Sequence, residues 1–455
     1  MRRATEIDMC NGPLLGSILR FAIPLMLSGI LQLLFNAADI IVVGQFTGSG
    51  AMAAVGSTSS LNNLIINLFL GLSAGGSVVM ALFYGAKDWK SVEEVAHTAI
   101  LLGFLSGVTL LFVGFILAEP LLRLMGTLDD VIDQAVLYMR IVFVGMPAMM
   151  VYDFGAGILR AVGDTRRPLI FLFCGGVINV FLNLFFVIVL EMGVAGVATA
   201  TAISQCISAA LIVRCLIKTD AAYRINLRRL RLVKDKLLRI LRVGLPAGIQ
   251  GAVFSVSNVL IQSSVNSFDS TAVVAGNTSS SNIENFVYTA MNSFYHASLN
   301  FTSQNVGANK VGRIVPILRC SLMCVVAVGL ILGLSAVFFG STLLSIYNPD
   351  PEVISHGLRR LNLICSTYFL CGMMDVTCGS IRGLGPSITP TIVSLTGACG
   401  LRIVWIYTIF AMNRSLFTLY LSYPVSWFVT FSAHLVCFCV FYRRWKREAL
   451  PTARV

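Results

Sequence analysis

The feature that most restricts this chain is a succession of apolar runs, each about as long as a bilayer is thick. A membrane-spanning helix needs about 20 mostly apolar residues. Such runs occur at approximately 17–43, 54–83, 97–118, 135–156, 168–190, 195–217, 240–266, 276–304, 315–340, 357–378, 389–411 and 416–442. A spanning β-barrel would instead read as alternating segments of about ten residues. Hydrophobic residues make up 56% of the 455 and charged residues 12%, against about 25% charged in soluble domains. That balance excludes a soluble multidomain enzyme, a disordered chain and a secreted disulfide scaffold. The expected fold class is all-α: a polytopic membrane protein with twelve transmembrane helices. The first run is too long for a signal peptide and lacks a small-residue cleavage site, so no processing is expected.

The net charge of +12 is explained by where the cations lie. Counting spans from a cytoplasmic N-terminus puts 27 of the 33 lysines and arginines on the cytoplasmic side. They fall in the N-terminal segment (Arg2, Arg3, Arg20), the inner loops, a basic stretch from Arg224 to Arg242, and the tail (Arg443, Arg444, Lys446, Arg447, Arg454). Asp129, Asp130, Asp133, Glu191, Asp269, Asp350 and Glu352 fall on or near the other side. The positive-inside rule then places both termini in the cytoplasm. Nucleic acid is not needed to account for the charge, and membrane lipids are the expected neighbours of the basic loop. The twelve cysteines sit mostly within apolar runs without a CxxC pair, and His97, His296, His356 and His434 show no metal-ligand spacing. Neither a disulfide framework nor a zinc site is expected.

The two halves match at one constant offset of 222 in the numbering. Ile18, Leu19, Arg20 and Pro24 correspond to Ile240, Leu241, Arg242 and Pro246. The same offset relates Asn36 to Asn258, Gly85-Ala86 to Gly307-Ala308, and the set Gly157, Arg160, Gly163, Pro168 to Gly379, Arg382, Gly385, Pro390. The expected organisation is an N-lobe (1–217), a basic cytoplasmic linker (218–239), a C-lobe (240–442) and a cytoplasmic tail (443–455). Six spans per half is an even number. The repeats are therefore expected to be parallel, related by an axis along the membrane normal, with a cleft between them.

An ionisable residue inside a span costs several kcal/mol unless it faces the bundle or water, which makes it a functional candidate. Asp39 lies in the first span, and Ser28, Gln32, Asn36 and Asp39 share one helical face after Pro24. Pro24 and its counterpart Pro246 are expected helix kinks. Asn179 and Asn183 in the fifth span, with Thr201 in the sixth, offer oxygens for a small cation or hydrogen bonds to a protonatable carboxylate. Asp153 and Asp375 occupy equivalent repeat positions. Glu284 lies among Asn277, Tyr288 and Tyr295 on the eighth span, a surface for an organic cation or a second ion. Arg160 and Arg382 are expected to shape inner turns and anchor to headgroups. Arg402 is expected to pair with a carboxylate of its own lobe.

The duplicated layout, Pro24 with Asp39, the run from Asp39 to Gly44, the repeated Arg-x-x-Gly-x-x-x-x-Pro at 160–168 and 382–390, and the segment Gln304 to Ala308 resemble the multidrug and toxic compound extrusion (MATE) transporters. The resemblance covers nearly the whole chain and is closer to the DinF-like than to the NorM-like branch. It implies a secondary active efflux antiporter of a prokaryotic plasma (inner) membrane. Such an exporter exchanges H+ or Na+ for small organic, often cationic, compounds. The resemblance places ion coupling on Asp39, Asn179, Asn183 and Thr201, with Asp39 a metal ligand only if the ion is Na+. Asn183 stands where the DinF-like branch often has Asp, so this chain has one acid fewer. Substrate or a second ion is expected at Gln32, Asn36, Asp153, Asn258, Glu284, Tyr288 and Asp375. No cofactor is expected, and the chain is expected to be a monomer. A flippase for a lipid-linked saccharide from the same superfamily is the alternative, and a channel a remote one. An intramembrane aspartyl protease is rejected, because Tyr152-Asp153 and Gly163-Asp164 are too close along the chain to face each other from two helices. No nucleotide, nucleophile-elbow or metalloenzyme motif is present.

This orientation makes a direct prediction. Alkaline phosphatase fused after Asp269 should be active, and fusions after Arg229 or Val455 inactive. Green fluorescent protein at the same sites should give the reverse pattern.

Overall fold

Hydrocarbon offers no partner to a backbone N–H or C=O, so a chain this apolar satisfies its backbone within helices. The computed structural model describes residues 6–124, 127 and 129–449, with the side chains of 49, 52, 53, 57, 59–61, 63, 64 and 129 left out. Arg2, Arg3 and Arg454, counted above as cytoplasmic, lie outside the described residues, as does the side chain of Asp129. The helices are α1 (Leu14–Phe46), α2 (Ser49–Gly85), α3 (Trp89–Leu124), α4 (Asp129–Val144), α5 (Met146–Ala161), α6 (Arg166–Leu184) and α7 (Gly193–Lys218). They continue with α8 (Lys234–Asn266), α9 (Thr271–Gly307), α10 (Val311–Phe338), α11 (Gly340–Tyr347), α12 (Pro351–Thr367) and α13 (Phe369–Gly383). The last three are α14 (Ile388–Ser394), α15 (Leu401–Trp405) and α16 (Leu416–Ala449), with π-helical stretches at Phe185–Val189, Leu395–Gly400 and Ile406–Phe410.

Among the described residues, nine helical segments are long and apolar enough to cross a membrane. Counting each bent pair as one span gives eleven: α4 with α5, bent by 47°, and α12 with α13, bent by 44°. The 37-residue α9 is the twelfth expected span. It is long enough but carries Asn277, Glu284, Asn292, Asn300 and other polar residues. Outward-facing Phe112, Ile116, Phe181 and Ile331 are each at least 60% exposed, as lipid-facing positions require.

The repeat offset reaches into the backbone. α2 and α9 begin at Ser49 and Thr271, α3 and α10 at Trp89 and Val311, α4 and α12 at Asp129 and Pro351, and α6 and α14 at Arg166 and Ile388. Left-handed residues recur at the same spacing: Lys87 with Asn309, and Gly163 with Gly385. Gly163 has φ +99°, and a Cβ there would also sit 2.5 Å from the Ile7 carbonyl oxygen. This explains why the last position of the Gly-x-x-Arg-x-x-Gly motif is glycine.

The chain divides into two units. One comprises Met1–Ile7 with Leu27–Gly251, the other Asp8–Met26 with Ala252–Val455. α1 therefore changes unit between Met26 and Leu27, and α8 between Gly251 and Ala252. The basic stretch after α7 belongs to the first unit and is packed against it. Tyr223 and Ile225 are buried. The Tyr223 hydroxyl donates to Glu6 Oε1 at 2.8 Å, and burial, then the Glu6 charge, push its pKa up. The Asn226 N–H donates to His97 Nε2 at 3.0 Å. Lys236 Nζ donates to Ser91 Oγ at 2.9 Å over the Phe83 ring. In the second unit, Asn305 Nδ2 donates to the Met9 carbonyl at 2.9 Å.

Small residues let the helices of each unit approach closely. Gly71 and Gly75 of α2 meet Gly248 and Gly244 of α8. A Cβ on Gly71 would lie 2.1 Å from the Gly248 nitrogen. Backbone cannot yield as a side chain does, so Gly71→Val should cost at least about 2 kcal/mol. The expected readout is a lower melting temperature and loss of the monodisperse peak in detergent. Gly16→Ala, which meets nothing within 4 Å, should leave both unchanged.

Candidate functional site

In the first unit, α1, α6 and α7 bring four of the sequence-predicted residues together. Asp39 is buried and accepts from both sides: Asn183 Nδ2 donates to its Oδ1, and Thr201 Oγ1 lies 3.3 Å from its Oδ2. Asn179 Nδ2 is 3.3 Å from Thr201 Oγ1, and Asn183 Nδ2 is 3.3 Å from Asn179 Oδ1. Asn179 and Asn183 are one turn apart and so present both amides to the same place. Both partners of the carboxylate are neutral. The Asn183 Oδ1 is buried with no hydrogen-bond partner among the described residues. Val42, Val43, Val187, Val194 and Val197 form the apolar wall nearby, with Tyr138 packed on it. Tyr138 lies close enough to Asp39 to sense its charge. Gln32 and Asn36, on the same helix, are exposed rather than part of this cage.

The second unit handles charge differently. Glu284 of α9 is buried in a bidentate pair with Arg360 of α12: Nε donates to Oε1 at 2.8 Å and Nη2 to Oε2 at 2.7 Å. Arg360 Nη1 also donates to Asn277 Oδ1 at 2.6 Å, which accepts from the Tyr420 hydroxyl at 3.1 Å. Asn277 in turn donates to Gln262 at 2.8 Å. The sequence alone offers Glu284 as a free acid for a cation. Its charge is instead already matched, so an incoming cation would have to displace Arg360. Arg360 escapes a reading of the sequence because, in the doublet Arg359-Arg360 near the start of the 357–378 run, residue order does not say which side chain turns inward. The repeat holds the signal, since Arg360 is the counterpart of Tyr138, the neighbour of Asp39.

Two further expectations change. Arg402 is not near a carboxylate among the described residues. It lies 4.2 Å over the Tyr423 ring and 5.7 Å from Trp427, and its Nε donates to Ser426 Oγ at 2.9 Å. Aromatic faces and a hydroxyl replace the anion, an arrangement a guanidinium accepts because it is weakly hydrated. Arg382 does not reach for headgroups either. It is buried, donating to the Tyr295 hydroxyl at 2.8 Å and Thr391 Oγ1 at 3.1 Å. Arg160 likewise has a buried Nε and senses the charge of Asp153.

Asp153 and Asp375 occupy matching places. The Asp153 Oδ2 is buried without a hydrogen-bond partner among the described residues. Asp375 lies near Tyr288 and senses the charge of Arg382. Tyr288 stacks on Tyr368 at 6.3 Å, and Tyr368 on Trp427 at 5.2 Å. Asn258 is exposed on α8. No group of three or more His, Cys, Asp or Glu able to hold a metal ion occurs among the described residues. The described cysteines are free thiols.

Known proteins resemble the chain along its length. The MatE family pattern matches twice, over residues 24–185 and 246–408. The chain is 27% identical over 438 residues to the probable multidrug resistance protein YoeA of Bacillus subtilis, spanning 94% of each. It is 26% identical over 389 residues to the probable multidrug resistance protein NorM of Thermotoga maritima, 83% of this chain and 82% of that one. Among solved structures, an outward-facing multidrug resistance MATE family transporter of the MOP superfamily superposes with a TM-score of 0.91. The identity is 23%, over 98% of this chain and 100% of that one, a likeness of fold.

The buried pair makes a stability prediction. Arg360→Leu strands Glu284 and should destabilise the protein by about 3–5 kcal/mol, read as a fall in melting temperature. Adding Glu284→Leu should recover most of that loss, since an apolar pair leaves no charge unmatched.

Proposed function

Because the chain belongs to the MatE family, we propose that it is a secondary active multidrug exporter. It exchanges H+ or Na+ for organic compounds, cationic ones among them, by alternating access. The observation that carries this reading is the Asp39 cage. A single carboxylate sits in a spanning helix with two neutral partners, Asn183 and Thr201. An uncompensated anion there is costly, so the cage favours capture of one positive charge. A proton on either carboxylate oxygen neutralises it outright. Sodium, carried as cargo, would find oxygens on Asp39, on Thr201 and on Asn183, whose Oδ1 has no partner among the described residues. Cation-loaded and cation-free cages thus differ by one full charge, and a cationic substrate competes for the same neutralisation. Ion and drug then exclude each other, which is the thermodynamic requirement for exchange.

The second unit has no counterpart to this lone anion at Glu284, because Arg360 neutralises it. Asp375, near Tyr288 and Arg382, is the remaining candidate acid there for a second ion or substrate. The chain's role as a transporter rather than an enzyme rests on its family.

Everted membrane vesicles with H+ and Na+ gradients imposed separately test the proposal. One gradient should drive uptake of a fluorescent organic cation, and Asp39→Asn should reduce that uptake to background with the protein still folded. Unchanged uptake in the variant overturns the assignment. Asn183→Asp adds a second carboxylate and should raise the sodium dependence of transport about tenfold or more.

A further inference from the structure

Away from the basic turns, the second unit holds a cavity of about 910 Å³. It lies where α8 passes into α9 and where α12 and α16 begin. The volume is in the range of small-molecule sites. Arg359, His356, Asn362, Ser366, Phe417 and Tyr420 line it. Its lining contains two basic side chains and no acidic one. Arg359 is exposed and has no carboxylate within ion-pair distance among the described residues. The His356 Nδ1 is buried with no hydrogen-bond partner among them. The acid facing its other nitrogen is the well-exposed Glu352, at 3.9 Å. Tyr420, at the cavity wall, donates to the same Asn277 oxygen that Arg360 holds.

Adjacent arginines on α12 therefore do opposite things. Arg360 spends its guanidinium on Glu284, whereas Arg359 is left facing a cavity with hydroxyl, amide and aromatic neighbours. We propose that this cavity binds an anionic group joined to an apolar or aromatic body. Arg359 pairs with the anion, as a planar guanidinium does with phosphate or carboxylate. His356 Nδ1, Asn362 and Ser366 supply hydrogen bonds, and the exposed Phe417 covers the ring or chain. This goes beyond the cation chemistry of Asp39, which lies in the other unit. The anion has two sources, a soluble amphipathic compound or the headgroup of an anionic phospholipid.

Riboflavin and riboflavin 5′-phosphate (FMN) share one ring system and differ by a phosphate, which makes them matched probes. Binding to the full chain in phosphatidylcholine nanodiscs is followed by flavin fluorescence. FMN should bind at least about tenfold more tightly than riboflavin, and only FMN should weaken as salt rises. Arg359→Gln should erase the difference and Arg359→Lys should keep most of it. Equal binding of the two flavins, or an undiminished margin in Arg359→Gln, overturns the proposal. Adding short-chain phosphatidylglycerol to the phosphatidylcholine discs separates the sources. Competitive displacement of FMN assigns the site to a headgroup, and unchanged FMN binding assigns it to a soluble compound. Asp39→Asn should leave the flavin margin intact, so failure of the transport reading and failure of this one are told apart.

Discussion

A charge inside hydrocarbon must be neutralised, and the way each unit does so organises the polar chemistry of this protein. In the first unit the Asp39 carboxylate is held by amide and hydroxyl donors that carry no charge. The second matches Glu284 with Arg360 through two parallel hydrogen bonds. A site of the first kind gains or loses a whole charge when a cation comes or goes. A site of the second kind is neutral as it stands, and its cost is recovered by geometry alone. The two sites therefore differ in kind: the Asp39 carboxylate has only neutral partners, and the Glu284 carboxylate has a matched cation.

Duplication has preserved backbone devices more faithfully than side-chain chemistry. Helix starts recur at the repeat offset. The left-handed turns at Lys87 and Asn309, and at Gly163 and Gly385, do the same. Bends of 47° and 44° interrupt the corresponding pairs α4–α5 and α12–α13. Some charged positions are kept, as Arg160 with Arg382 and Asp153 with Asp375, while others diverge: Tyr138 in one half stands where Arg360 stands in the other. Backbone geometry is shared because both bundles solve the same packing problem. Chemistry is free to differ because each polar group needs only local partners.

Close packing within each unit depends on glycine where helices cross. The Gly71–Gly248 and Gly75–Gly244 approaches bring main chains of α2 and α8 together, and this ties the N-terminal half of α8 to the first unit. The basic stretch before α8 is anchored through Tyr223 and Asn226, and the first turn of α8 through Lys236. Much of what reads as a polar loop is thereby part of a core.

The helical class and the two-fold repetition were readable in the residue order, and the grouping of Asp39 with Asn179, Asn183 and Thr201 followed from the family resemblance. Apolar run length, a constant offset and helical spacing are one-dimensional signals, and a bilayer turns them into structure with little ambiguity. Which buried charges find each other is a different matter. Arg360 meets Glu284 from a separate helix, Arg402 settles on Tyr423 and Trp427 instead of an acid, and Arg382 turns inward to Tyr295. Those choices depend on the rotation and depth of each helix against its neighbours. They emerge from the packing of the whole bundle, where the strength of a charge interaction depends on distances that spacing along the chain does not encode.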